Sequence, residues 1–161
     1  MKRLLLIRHA KSSWKNLGLT DHDRPLNKRG ERDVLTMSAH LAERKEQLDT
    51  LYSSTAVRAL TYAQHISNAT GLALVPERSF YTFDDDDLLH ILRALPDSES
   101  GIALVGHNPA ITNAVNRLGA ESITNVPTAA IAALDCAIDR WAELDDGCAQ
   151  LAYFDYPKMF R

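Results

Sequence analysis

The chain has 161 residues, 45% of them apolar and 24% charged, the proportions of one soluble globular domain with room for a real core. Its formal net charge of -3, from 18 Lys and Arg against 21 Asp and Glu, argues against a general nucleic-acid or membrane binder, so any anion site must be local. No apolar run approaches a membrane span, the run after Met1-Lys2-Arg3 is too short for a signal peptide, and Cys136 and Cys148 lack disulfide or metal spacing; the expectation is a cytoplasmic protein with packed, free thiols.

Residues 2–7 read as a buried strand, because a short all-apolar run ended by polar residues suits the centre of a parallel sheet. The run stops at Arg8 and His9. Residues 11–26, broken by Gly18, Asp21-His22-Asp23 and Pro25, read as a loop. From Asn27 onward Val34, Leu35, Met37, Leu41 and Leu48 recur at roughly helical spacing. A short strand is expected over 49–53, then a helix over 56–69 closed by Gly71. Residues 72–75 read as a second short strand. Asp84 to Asp87 would cap a helix running to about residue 95, since carboxylates favour the positive end of a helix.

Residues 101–105 are another apolar strand, ended by Gly106-His107-Asn108-Pro109, and Pro109 suits the first turn of a helix over 110–118. Residues 129–136 and 148–154 read as late strands, an antiparallel pair across Asp145-Asp146-Gly147. The alternation of β and α predicts a single α/β domain over 1–161, a three-layer sandwich whose central sheet is mostly parallel and flanked by helices.

Two strands end in histidine: LLLIRH at His9 and IALVGH at His107. Ligands of open α/β sheets sit beyond the carboxyl ends of strands, so the two imidazoles can face one another across that crevice. Either alone would more often be a packing or solvated residue; their matching positions carry the functional reading. A third segment, LYSSTAVRALTYA, passes from strand through hydroxyl residues into a helix whose first turn holds Arg58. Guanidiniums suit bidentate recognition of phosphate oxygens, and an imidazole partly unprotonated near neutral pH is a nucleophile toward phosphorus. Arg8, His9, Arg58 and His107 thus point to phosphoryl transfer.

Further candidates are weaker. Ser12 either offers its hydroxyl to phosphate or makes a turn hydrogen bond. Lys11 and Trp14 can bound the pocket mouth, with Arg24 and Thr128 on its rim. Asp84 or Asp85 is a possible proton donor, against the plainer reading of a solvated helix start. Asp21-His22-Asp23 does not offer a closed coordination shell, so no metal is expected. His40, His65 and His90 fall within predicted helices and read as surface or packing residues.

Taken together, Arg8-His9 after an apolar strand, Arg58 in SSTAVRA and His107 in LVGHNP resemble the histidine phosphatase superfamily, also called the RHG or phosphoglycerate-mutase-like family. RHAKSSW, RPLNKRG and PTAAIAAL are similar to its SixA-type phosphohistidine phosphatase branch. The resemblance implies a mixed-sheet α/β sandwich, a reaction without metal or other cofactor, His9 as the phosphorylated nucleophile, and Arg8, Arg58 and His107 as ligands of the phosphoryl group. Two departures stand out. Ala10 occupies a place where many members have Gly, and the interval from Arg58 to His107 offers only Glu77 and Asp84 to Asp87, with no clear match to the family's acid-bearing motif.

An alkoxide leaving group gains greatly from a proton donor, whereas phosphohistidine leaves as an imidazole that is easier to expel once protonated. The short chain also lacks the insertions that would enclose a small substrate. The expected partner is therefore a protein carrying phosphohistidine. Hydrolysis of small phosphate esters is the alternative, and a non-catalytic phosphate-binding regulatory module is the alternative of another class. The sequence does not fix an oligomeric state.

Overall fold

Alternation within the first strand decides how the layers form. β1 (Lys2–Arg8) sends Leu5 and Ile7 to one side and Leu4 and Leu6 to the other, and all four are fully buried. A strand apolar on both faces has to be covered on both. The computed structural model, which describes residues 1–161, covers them with two helix pairs. On the Leu5 and Ile7 side lie α1 (Lys28–Arg44) and α2 (Val57–Thr70), packing Met37, Leu41, Tyr62 and Ile66 into one core. On the Leu4 and Leu6 side lie α3 (Asp85–Arg93) and α4 (Ala110–Gly119), packing Leu89, Leu92, Ile111 and Val115 into the other, which the buried Trp141 closes.

The remaining strands are β2 (Thr50–Ser53), β3 (Leu74–Pro76), β4 (Gly101–Gly106), β5 (Ile131–Cys136) and β6 (Ala149–Asp155). They form one six-stranded sheet in the order β3-β2-β4-β1-β5-β6. The first four are mutually parallel, and β5 runs antiparallel to both β1 and β6. This is the mostly parallel mixed sheet between helix layers that the sequence predicts.

The differences are local and have physical reasons. α1 stops at Arg44 rather than reaching Leu48, because Lys45 turns left-handed at φ 52° and its N–H bonds back to Ala42; Leu48 packs on the core from the loop beyond. β5 begins at Ile131, two residues later than expected, because Ala129 at φ 65° breaks the extended chain. Pro109 stands just before α4 as its cap residue. The expected loop over 11–26 contains a 3-10 turn at Asp21–Asp23 and is closed by a bridge between Ser12 and Leu26.

Register then builds the site. β1 and β4 run side by side with Arg8 opposite Gly106, so His9 and His107 leave adjacent strands at the same level. On the other flank of β4, Ser53 pairs with Val105, which brings Ser54 and the start of α2 alongside. The end of β1 is tied down on both sides. The N–H of His9 donates to the Gly106 carbonyl at 3.0 Å, and the N–H of Ala129 donates to the carbonyls of Arg8 and His9 at 3.1 and 2.9 Å.

Candidate active site

A cavity of about 190 Å³ opens at the carboxyl end of β1. Arg8, His9, Lys11, Ser12, Trp14, Arg24, Arg58 and Thr128 line it. The His107 ring lies beside it, its centroid 5.2 Å from that of His9.

The hydrogen bonds assign the tautomer of His9. Its Nδ1 lies 2.8 Å from the carbonyl of Ala10, which can only accept, so Nδ1 carries the proton and Nε2 keeps the lone pair. Burial pushes the pKa of His9 down to about 3, with the charges of Arg58, Arg8 and Arg24 adding to the shift against the opposing Ala10 bond. The imidazole is therefore neutral, with the lone pair of Nε2 unprotonated. His107 is likewise lowered to about 3 by burial, His9 and Arg58. Its Nε2 lies 2.7 Å from the hydroxyl of the buried Ser54, and its Nδ1 is 3.5 Å from Arg58 Nη2. The rings of Tyr81 and Phe83, each 5.3 Å away, cover it from the side.

Three guanidiniums surround these rings. Arg8 donates from Nη1 to the Val126 carbonyl at 3.0 Å, but its buried Nε has no partner. Burial and the neighbouring Arg58 both lower the pKa of Arg8. An unpaired, buried cationic N–H carries a desolvation cost that no protein acceptor offsets. Arg58, only 3% exposed, donates from Nη1 to the Asp21 carbonyl at 2.7 Å and from Nη2 to the Asp21 carboxylate at 2.9 Å. Arg24 donates to the other Asp21 oxygen at 2.9 Å and to the Ser12 hydroxyl, and its guanidinium stacks 3.2 Å over the Trp14 ring. With Oγ already accepting from Arg24, the Ser12 O–H is left to donate.

Of the residues singled out in the sequence, Arg8, His9, Ser12 and Arg58 meet at the cavity and His107 adjoins it. Lys11, Trp14 and Thr128 also line it, and Arg24, expected on the rim, is buried in its wall. Asp84 and Asp85 are not there, and their position does not fit a proton donor. Asp84 caps α3, accepting from the Asp86 N–H at 3.3 Å. Asp85 is held by Arg117 at 2.8 Å and Asn113 at 3.1 Å, and the Arg117 bond keeps its carboxyl below the ordinary range. Asp21, weighed in the sequence only as part of a metal-like cluster or a solvated rim loop, pairs with Arg24 and Arg58. Ser54 and Tyr81 are partners not singled out there; Ser54 carried a signal, its hydroxyl at a helix start, where it does accept the Ala56 N–H at 3.1 Å.

No three His, Cys, Asp or Glu side chains gather into a metal-binding group. His22 is engaged with Asp23 at 3.0 Å and Thr55 at 2.8 Å, and no helix is long and apolar enough to cross a membrane.

Comparison with known proteins bears on the family and the fold. Residues 4–83 match the family described as histidine phosphatase superfamily (branch 1). The protein Rv1276c of Mycobacterium tuberculosis is 31% identical over 165 residues, spanning 94% of this chain and all of that one. A solved structure assigned as the phosphohistidine phosphatase SixA of Agrobacterium tumefaciens superposes with a TM-score of 0.81 at 28% identity, covering 97% of this chain and 98% of that one. The protein histidine phosphatase SixA solved with tungstate shares the fold at a TM-score of 0.82 and 18% identity, with 99% of both chains covered. The chain belongs to the histidine phosphatase superfamily and is a phosphatase.

Proposed function

We propose that residues 1–161 act as one cofactor-free domain that removes phosphate from phosphohistidine in cytoplasmic proteins, through a phosphorylated His9. The observation that carries this reading is the His9 side chain itself: Nδ1 is committed to the Ala10 carbonyl, which leaves the Nε2 lone pair among three guanidiniums. Nε2 forms a bond to phosphorus as the bond from phosphorus to the substrate nitrogen breaks, and the departing imidazole keeps its electron pair and takes a proton from solvent. Water then attacks phospho-His9, returning the electron pair to Nε2 and releasing phosphate. The transferring group spreads negative charge over its equatorial oxygens, where Arg8, Arg24, Arg58 and the Ser12 hydroxyl can donate to it. His107 adds a further hydrogen bond to the transferring group from Nδ1–H, in the tautomer whose Nε2 accepts from the Ser54 hydroxyl.

The protein substrate is supported by what borders the cavity and by what is missing from it. Trp14, Leu17, Leu19 and Phe83 are exposed on the loops beside it, at 67%, 91%, 38% and 43%, a partly apolar and open approach suited to a macromolecular surface. The cavity wall contains no carboxylic acid to protonate an alkoxide. Free thiols at Cys136 and Cys148 suit a reducing compartment.

Turnover of a phosphohistidine peptide and of sugar phosphates by the wild type and His9→Ala tests the reading. The peptide should be preferred by roughly a hundredfold in kcat/KM, the scale of a positioned proton donor that esters need and this cavity lacks. His9→Ala should abolish both reactions. Equal turnover of the two substrates overturns the substrate assignment, and undiminished turnover by His9→Ala overturns the mechanism.

A further inference from the structure

One carboxylate meets the cavity's guanidiniums from outside. Asp21 does not line the cavity, yet Oδ1 accepts from Arg24 Nη1 at 2.9 Å, Oδ2 accepts from Arg58 Nη2 at 2.9 Å, and its backbone carbonyl accepts from Arg58 Nη1 at 2.7 Å. The Tyr81 hydroxyl donates to the same Oδ2 at 2.7 Å, joining the segment between β3 and α3 to the loop after β1. His22 braces the turn from the other side, its Nε2 lying 2.8 Å from the Thr55 hydroxyl at the foot of α2. Three separate segments thus meet at one side chain. Partial burial pushes the Asp21 carboxyl up, but bonds from Tyr81 and Arg58, the Arg58 charge and the bond from Arg24 outweigh it, so the group stays ionised.

Two physical consequences follow. A guanidinium has five N–H donors in a rigid plane, so fixing one edge on Asp21 aims the rest. Arg8, Arg24 and Arg58 also repel one another, and a nearby negative charge offsets part of that field. An undiminished field would favour the product phosphate as well as the transition state, and only the second kind of binding accelerates turnover.

We propose that Asp21 is the positioning residue of this site: it aims Arg24 and Arg58 at the phosphoryl group and offsets their charge, so that free phosphate is not retained. The inference rests on the phosphatase reading above but is tested apart from it. Asp21→Asn keeps an acceptor and loses the charge; Asp21→Ala loses both. Inorganic phosphate is titrated into the full chain and followed by calorimetry or phosphorus NMR, and kcat and KM are measured on the phosphohistidine peptide.

Asp21→Asn should bind inorganic phosphate about tenfold more tightly, the scale of one partly screened charge. Asp21→Ala should lose about a hundredfold in kcat with a smaller change in KM, because misaimed arginines fail the transition state first. A mere loss of folding would not tighten phosphate binding, so Asp21→Asn alone decides the charge role if Asp21→Ala proves unstable. Unchanged or weaker phosphate binding by Asp21→Asn, or wild-type kcat in a folded Asp21→Ala, overturns the proposal. Phosphate binding is read without turnover, so a failure of His9 to act as nucleophile would leave this result interpretable.

Discussion

Two arginine clusters stand in this molecule with opposite proportions. At the carboxyl end of β1, three guanidiniums line one cavity and only one carboxylate answers them: Asp21 accepts from Arg24 and Arg58, and Arg8 has none. Beside α3, the single guanidinium of Arg117 is held by three carboxylates: Asp85 at 2.8 Å, Asp86 at 2.7 Å and Asp146 at 2.9 Å. Electrostatics follows the count. Asp85, Asp146 and Asp86 raise the pKa of Arg117, whereas burial and Arg58 lower that of Arg8. The Arg117 cluster is complete and ties α3 and α4 to the turn before β6. The cavity cluster is short of negative charge and holds an unpartnered buried Nε. The same residue type is saturated with carboxylates in one place and keeps donors to spare in the other.

The comparison breaks most visibly if the two clusters respond alike to loss of an arginine. Arg58→Ala should reduce kcat/KM by about a thousandfold, the upper range for removing one donor to a transition-state oxyanion. Arg117→Ala should leave kcat/KM within about twofold and lower Tm by about 3 °C, as expected for a partly exposed ion-pair network in a chain of this size. Steady-state kinetics and a thermal melt on each variant decide between these outcomes.

The pH profile sharpens the same contrast. With His9 and His107 lowered to about 3, both rings stay neutral across the ordinary assay range, and the nucleophile is lost only as pH falls toward that value. Between pH 7 and 5, kcat/KM corrected for substrate ionisation should fall less than about twofold, because this ratio reports the free enzyme. An unperturbed imidazole, with a pKa near 6.5, would lose about twenty-fivefold over that range.

A smaller effect tests how the fold holds the cavity wall. A Cβ at Gly30 would lie 2.1 Å from the Lys11 carbonyl, so α1 can approach the loop after His9 only because this residue has no side chain. Gly30→Ala should cost about 1–3 kcal/mol in chemical denaturation, the range for forced overpacking, and lower kcat by roughly tenfold as Lys11 and Ser12 shift. Asp84→Asn and Asp85→Asn should do least, leaving kcat within about twofold, since both carboxylates are engaged at the start of α3.

Legibility in the sequence followed the range of the interactions involved. β1 and β4 were readable because burial on both faces requires consecutive apolar residues, and Gly71 as a helix stop because φ 80° favours glycine. Arg8, His9, Arg58 and His107 were readable because each stands at or just past a strand end or a helix start. The partners that orient them were not. Asp21 and Arg58 are separated by 37 residues and Ser54 and His107 by 53, and neither pair follows a periodicity. Arg24 is brought into the cavity wall by closure of its loop, which depends on the Ser12 and Leu26 bridge and on Gly30. Asp85 reads as an available acid in sequence because its partner Arg117 lies 32 residues beyond it, whereas Asp84 is taken up locally as the cap of α3.

In the proposed reaction, Nε2 of His9 carries the phosphoryl group between substrate and water. Brief exposure of the full chain to a radiolabelled phosphohistidine peptide, quenching in base and mapping of the labelled peptide test it directly. The expected result is an acid-labile, base-stable label on the segment containing His9, absent from His9→Ala. Label on another residue, or no label from a chain that releases phosphate at the same rate with and without His9, would contradict it.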